Sequence, residues 1–131
     1  MTLAVEDHLA IQQLYARYNH TIDAGDGAAW AACFTADGVF SSASGTFTGS
    51  EALTTFGDAF AKRIKGRHWT NNLLVDGDGD SATGSCYLML LRLSPGEQPP
   101  AAILSTAIYR DELVRAADGW RFARRVVTND S

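Results

Sequence analysis

From Val5 to Asp23 the apolar residues Ile11, Leu14, Tyr15, Tyr18 and Ile22 recur at steps of three and four. That is the spacing of one buried helix face, so the rest of the chain must supply a surface to cover it. The run closes on an acid, Asp23, two residues before Gly25, which can provide a left-handed cap. A carboxylate at a helix C-terminus faces the negative end of the backbone dipole, at a cost of roughly 0.3–1 kcal/mol. The position of Asp23 therefore calls for a reason. The plain reading is a water-facing side chain or a cap on the next short helix, and the other is a place in a site.

A chain of 131 residues suits one domain, residues 1–131, with a single substantial core. Its 46% apolar and 20% charged residues are those of an ordinary globular protein. A net charge of −4 argues against nucleic acid as a partner, which needs a basic surface. The longest strongly apolar run, Leu88 to Leu91, is too short to span a bilayer, and the N-terminus lacks the halves of a signal peptide. Two cysteines, Cys33 and Cys86, give neither a disulfide framework nor a zinc spacing. The cytoplasm is the expected compartment.

After Gly25-Asp26-Gly27 the small-residue run from Ala28 reads as a second short helix carrying Trp30 and Phe34 on one side. Asp37-Gly38 reads as a turn, Val39 to Ser41 as a short strand, and Gly45 to Thr48 as its return. Ser50 is the expected N-cap of a third helix, Glu51 to about Lys65, with Leu53, Phe56, Phe60 and Ile64 on one face. From Gly66 the period changes from 3.6 to 2. Arg67 to Asp76 reads as a strand with His68, Thr70, Asn72 and Leu74 on one face and Trp69, Asn71, Leu73 and Val75 on the other. Ala82 to Leu93 is apolar on both faces, so its outer side needs a cover. Ala101 to Val114 and Trp120 to Thr128 complete a meander, joined at Asp118-Gly119. Helices first and long strands after give an α+β fold, with the helices on one face of a curved, mostly antiparallel sheet that encloses a pocket.

Few residues carry a chemical signal. Asp76, Asp78 and Asp80 begin like a calcium loop, but Ser81 and Tyr87 stand where that loop needs Gly and Glu, so a solvated hairpin is expected and no metal. His8 is expected at the surface, and His20 stands three residues before Asp23. His68 differs, because it shares its strand face with Thr70 and Asn72 in a segment whose other face is apolar. Such a face either meets water or lines a pocket.

Several segments resemble the SnoaL-like branch of the nuclear-transport-factor-2-like superfamily. They are Ile11-Gln12-Gln13-Leu14-Tyr15 through Tyr18 to Ile22-Asp23, Trp30, Phe34-Thr35-Ala36-Asp37-Gly38, Gly45-Thr46-Phe47-Thr48-Gly49, His68-Trp69-Thr70-Asn71-Asn72, and Asp118-Gly119-Trp120-Arg121-Phe122. The resemblance implies a cone-shaped fold with a deep apolar pocket between the three helices and the sheet. In scytalone dehydratase and in the lindane dehydrochlorinase, an Asp ending the first helix pairs with a His near the start of the strand after the third. Bile-acid dehydratases add a Tyr five residues before that Asp. Asp23, His68 and Tyr18 stand at those positions.

The residues fit such chemistry. A neutral imidazole is the natural group to remove a proton near pH 7. A carboxylate on its other nitrogen fixes the tautomer and stabilises the imidazolium. Tyr18 would hydrogen-bond a developing enolate or return a proton to a leaving hydroxyl. The expectation is a cofactor-free lyase or isomerase, a dehydratase first, acting on a small apolar or polycyclic molecule. The expected pocket walls are Trp30, Phe40, Phe56, Phe60, Trp69, Tyr87, Met89 and Tyr109; Arg124 and Arg125, on opposite faces of the last strand, are expected in surface ion pairs, with a place for one of them at the pocket as the alternative. The two-sided strand leads to an expected homodimer or homotrimer that buries the outward face of the strands from Ala82 to Leu93 and Ala101 to Val114. The alternatives are a ligand-binding or structural subunit, like the small subunits of ring-hydroxylating dioxygenases, and a polyketide cyclase or epoxide hydrolase on the same fold.

Overall fold

The computed structural model describes residues 2–100 and 102–131. Helix α1 spans Val5–Ala24, and Gly25 ends it in the left-handed conformation (φ 73°), as its sequence requires. The short helix α2, Gly27–Ala31, is capped by the Asp26 carboxylate, which accepts from the Ala29 N–H at 3.0 Å. The capping role considered for Asp23 thus falls to Asp26. Phe34 does not continue α2 but opens strand β1, Phe34–Ser42, so Asp37-Gly38 lies within that strand. Strand β2 is Gly45–Thr48. Helix α3, Ser50–Arg63, has Gly49 rather than Ser50 at its N-cap and makes no side-chain cap bond. Helices α2 and α3 touch backbone to backbone: a Cβ on Gly57 would sit 2.8 Å from Gly27 Cα.

The long strands are β3, Gly66–Asp78, β4, Ser81–Arg92, β5, Ile103–Ala116, and β6, Gly119–Asn129. Ala101, the expected start of β5, lies outside the described residues. The strands form one six-stranded sheet in the order β2-β1-β6-β5-β4-β3. Every neighbour pair is antiparallel except β1 and β6, which run parallel. The helices cover one face, and the apolar stripe of α1 (Ile11, Leu14, Tyr15, Tyr18, Ile22) is fully buried there with Trp30, Phe34, Leu53 and Phe122. Among the described residues no helix is long and apolar enough to cross a membrane.

Two irregularities decide which side chains face inward. In β3 the pairing with β4 shifts between Asn71 and Leu74, and Asn72 takes φ 56°, a left-handed conformation that Asn tolerates better than most residues. The extra residue exchanges the faces beyond it. Leu73 and Val75 pack on the core, and Leu74 is 76% exposed, the reverse of a strict alternation from His68. In β6, Phe122 pairs with Leu113 while Arg124 pairs with Glu112, so Ala123 is the extra residue and Arg125 turns inward.

Candidate active site

The end of α1 and the start of β3 meet at Asp23 and His68. The Asp23 carboxylate accepts from the His68 backbone N–H, at 3.2 Å to Oδ1 and 3.1 Å to Oδ2. Its Oδ1 also lies 2.6 Å from Nδ1 of the same residue's ring. The helix-end acid thus has its partner in the sheet, which offsets the unfavourable dipole. One turn earlier Asn19 Nδ2 donates to Thr70 Oγ1 at 3.0 Å, a second tie between α1 and the His68 face of β3. His68 is 8% exposed and packs on the Phe60 ring with centroids 5.4 Å apart.

His68 forms part of the wall of an interior cavity of about 170 Å³ between the sheet and the helices, open to solvent past Ala43, Ser44 and Asn129. With Nδ1 taken by Asp23, Nε2 is the ring nitrogen left for this cavity. Tyr18, Phe40, Phe56, Phe60 and Tyr109 line it with His68, and Ser42, Ser44, Ser105 and Asn129 add polar edges. Behind the dyad a wider groove of about 910 Å³ runs between α1 and β3, past Asn19, Asp23, Arg67 and Trp69. Its exposed Arg67 and Trp69 leave it open to water. The smaller space is walled mainly by aromatic and aliphatic side chains, and against such walls a hydrogen bond or charge interaction is stronger than in a wet groove.

Beside the cavity lies a buried ionic cluster. Arg125 is 0% exposed and donates from Nε to Asp111 Oδ1 at 2.7 Å and from a terminal nitrogen to Oδ2 at 2.8 Å. Tyr15 donates its hydroxyl to the same Oδ2. The guanidinium stacks on the rings of Tyr109 (3.9 Å), Phe122 (4.2 Å) and Tyr18 (4.3 Å). Burial works against the Arg125 charge, but the Asp111 carboxylate outweighs it and holds the guanidinium protonated. The Tyr18 and Tyr109 rings meet edge to face, with centroids 5.9 Å apart. Burial pushes the pKa of both Tyr18 and Tyr109 up, while Arg125 and Tyr109 act to lower that of Tyr18.

Of the residues picked out in the sequence, His68, Asp23 and Tyr18 come together, and Phe40, Phe56, Phe60 and Tyr109 line the cavity with them. The other four do not. Trp30 is fully buried behind the wall, stacked on Phe40 and Phe56 with centroids 5.3 and 5.4 Å away. Trp69 (55% exposed), Tyr87 (52% exposed) and Met89 alternate with the inward residues His68, Cys86, Leu88 and Leu90, and so lie on the outer face of the sheet. Arg125 is the largest correction, because it is no surface residue but the buried cation beside Tyr18. Asp111, Tyr15, Ser105 and Asn129 were missed. Only Asp111 carried a signal, as an acid in period two with Tyr109 and Leu113 on an apolar face.

Solved structures share this fold. The chain is similar to a point variant of a protein of unknown function from Mycobacterium tuberculosis, at 39% identity and a TM-score of 0.87 over 94% of this chain and 71% of that one. It is similar to an NTF2-like protein with a cystatin-like fold from Novosphingobium aromaticivorans, at 26% identity and a TM-score of 0.84 over 94% and 81%. A protein from Catenulispora acidiphila in complex with S-DNPA matches at 30% identity and a TM-score of 0.79 over 94% and 92%. No curated protein matches. The model of the SnoaL-like domain matches residues 4–126, and with that match over nearly the whole chain, and the fold its neighbours share, the protein belongs to the SnoaL-like domain family.

Proposed function

We propose that the protein is a lyase or isomerase, a dehydratase first, that removes a proton from carbon beside a carbonyl in a small molecule held in the interior cavity. The observation that carries this reading is the His68 ring in the cavity wall, with its Nδ1 held 2.6 Å from Asp23 Oδ1 and Tyr18 in the same wall. His68 Nε2 takes the proton, and Asp23 stabilises the imidazolium that results. Tyr18, whose ring is held under the Arg125 guanidinium in the same wall, offers its O–H to the substrate oxygen as an enolate develops. In a dehydration the β C–O bond then breaks as the C=C bond forms, and the imidazolium proton leaves with the hydroxide as water. In an isomerisation the same proton returns to another carbon. No step needs a cofactor. A purely structural subunit would have no need of an imidazole held by a carboxylate in a cavity wall.

We also propose a homodimer or homotrimer joined through the outer face of β4 and β5, where Tyr87, Met89 and Ile108 form an apolar patch that continues to Trp69 on β3. Cys33 and Cys86, both buried and free, suit a reducing cytoplasm. The test of the proton-abstraction reading is exchange of the α-protons of small ring ketones into D2O, followed by NMR. Exchange above the buffer rate that is lost in His68→Ala, with the fold retained by circular dichroism, supports the reading. Equal exchange in both proteins overturns it.

A further inference from the structure

We infer that the substrate carries a phosphate on the part that stays outside the cavity, held at the mouth by Arg63, Lys65 and Arg92 while the ketone end reaches His68. The inference rests on the proposed proton-abstraction site and adds a second point of recognition to it. Five of the eleven Lys and Arg residues, in a chain of net charge −4, gather at the end of α3, the start of β3 and the end of β4. They are Lys62, Arg63, Lys65, Arg67 and Arg92, and all are exposed. Arg67 lies 3.9 Å from Asp23 on the groove side of the dyad. The other four close no ion pair among the described residues, whereas Arg115, Arg121 and Arg125 each do. Lys62 and Arg63 stand in the last turn of α3, where cations suit the helix dipole. That reason does not extend to Lys65 and Arg92.

Contacts and register put this charge at the cavity. The Arg63 guanidinium lies 6.0 Å from the centroid of the Phe60 ring, and that ring lies 5.4 Å from the His68 imidazole. Arg63 also lines a surface groove with Ser44 and Phe56, two residues of the cavity wall. Across β3 and β4, His68 pairs with Leu90 and Gly66 with Arg92. Alternation places Arg92 on the cavity face, two residues or about 7 Å beyond Leu90. Its partner Gly66 brings no side chain to that row. Lys65 follows Ile64, which lines the cavity itself.

The balance of charge selects the anion. No Asp, Glu, Lys or Arg lines the cavity, so an anionic group on the substrate finds its partners at the rim and not inside. At this end of the sheet the acids are Glu97, in the connection after β4, and Asp130, just past β6. Four cations against these two acids leave a surplus of two. A phosphate monoester carries about −1.5 to −2 at neutral pH and three acceptor oxygens, which matches that surplus better than one carboxylate does. Guanidinium groups such as Arg63 and Arg92 pair with phosphate through two parallel N–H bonds. A single-signed rim on an acidic protein also draws the anion to the mouth before the ketone end enters.

The test uses two matched probes built on 4-hydroxy-4-phenylbutan-2-one, whose hydroxyl is β to the carbonyl as the dehydration requires. One carries a propyl phosphate on the ring carbon opposite the side chain, and the other a propanol group there. Each is titrated by NMR into isotope-labelled wild-type protein and into Arg63→Gln with Arg92→Gln. The expected result is that the phosphate probe binds wild type at least about tenfold more tightly at low salt. It shifts the signals of Ser44, Phe60 and Arg92, and most of its advantage is lost in about 0.5 M sodium chloride. In the double variant the ratio between the two probes falls toward one. Equal binding of the two probes to wild type overturns the inference. So does a phosphate preference unchanged by salt or by the double variant, or one whose shifted signals lie away from the mouth. Failure of the base reading shows separately: the phosphate preference then stands, but the α-protons of neither probe exchange into D2O above the buffer rate.

Discussion

Asp111 and Arg125 face each other across β5 and β6, and their side chains close a two-point ion pair of 2.7 and 2.8 Å in the core of the protein. The pair exists because the extra residue Ala123 turns Arg125 off the outer face. Truncating one member of such a pair leaves a buried charge with no counterion. Asp111→Asn is expected to lower the stability by about 3–5 kcal/mol, read as a shift of the urea midpoint at constant slope. A change below 1 kcal/mol would mean that water reaches Arg125.

Gly84 lies in the row of Asp111 and Arg125, and a Cβ there would sit 2.2 Å from the Tyr15 hydroxyl. Gly84→Ala is therefore expected to push Tyr15 off Asp111 and to cost about 1–3 kcal/mol. Tyr15→Phe in the same background should then cost nothing further, because the hydroxyl has already lost its partner. A full additional loss in the double variant would contradict this coupling.

The acid limb of stability should carry the mark of Asp7. Arg115 at 2.7 Å, and then the Trp120 indole N–H at 3.1 Å, hold its carboxyl at about 2 against the ordinary 3.8. A carboxylate with a lowered folded-state pKa stabilises fully above its unfolded value, and the contribution fades as the pH falls through the folded one. Wild type should thus lose stability progressively from about pH 4 to about pH 2, and Asp7→Asn should show a shallower slope there. Urea midpoints measured across that range decide it, and parallel slopes would exclude the linkage.

The outer face makes a separate prediction. Trp69 and Tyr87 are more than half exposed, and Trp69 stands opposite Met89 across β3 and β4. Placing charge there, as Trp69→Glu with Tyr87→Glu, should convert a sedimenting oligomer to monomer while far-ultraviolet circular dichroism stays unchanged. Wild type sedimenting as a monomer at micromolar concentration would remove the interface.

The sequence was most readable where a single period ran without interruption. Every residue of the stripe Ile11, Leu14, Tyr15, Tyr18 and Ile22 is buried, and the misplaced charge of Asp23 pointed to a partner beyond its own helix. His68 and Thr70 face inward as alternation requires, because they precede the bulge. Past Asn72 the same rule fails, and Leu74 ends exposed, since a bulge adds one residue and inverts each later side chain. The Asn71-Asn72 pair hints at a left-handed position but does not fix one. Strand β4 had apolar residues on both faces, so residue type could not tell Tyr87 and Met89 from pocket walls. Arg124 and Arg125 were indistinguishable for a related reason: the Ala123 bulge, not the local sequence, chose which arginine went inside.

Asp23 bridges the backbone and the ring of His68, which separates its structural and chemical roles. Asp23→Asn keeps an acceptor for the backbone N–H and loses the charge that stabilises imidazolium. The expectation is a retained fold and a turnover lower by about 10²–10⁴-fold, measured on any ketone that exchanges with wild type. Turnover within a factor of about three, less than the roughly 1.4 kcal/mol that a tenfold change represents, would assign Asp23 to the fold alone.

In the proposed function Asp23 holds the His68 ring with Nδ1 protonated and Nε2 presented to the cavity as a base. Nitrogen-15 NMR of the labelled protein with the imidazole neutral reads this tautomer directly. The account predicts a protonated Nδ1 with a strongly deshielded proton and an unprotonated Nε2 whose signal moves when a cavity ligand binds. A neutral His68 carrying its proton on Nε2, or an Nε2 signal indifferent to the ligand, would contradict it.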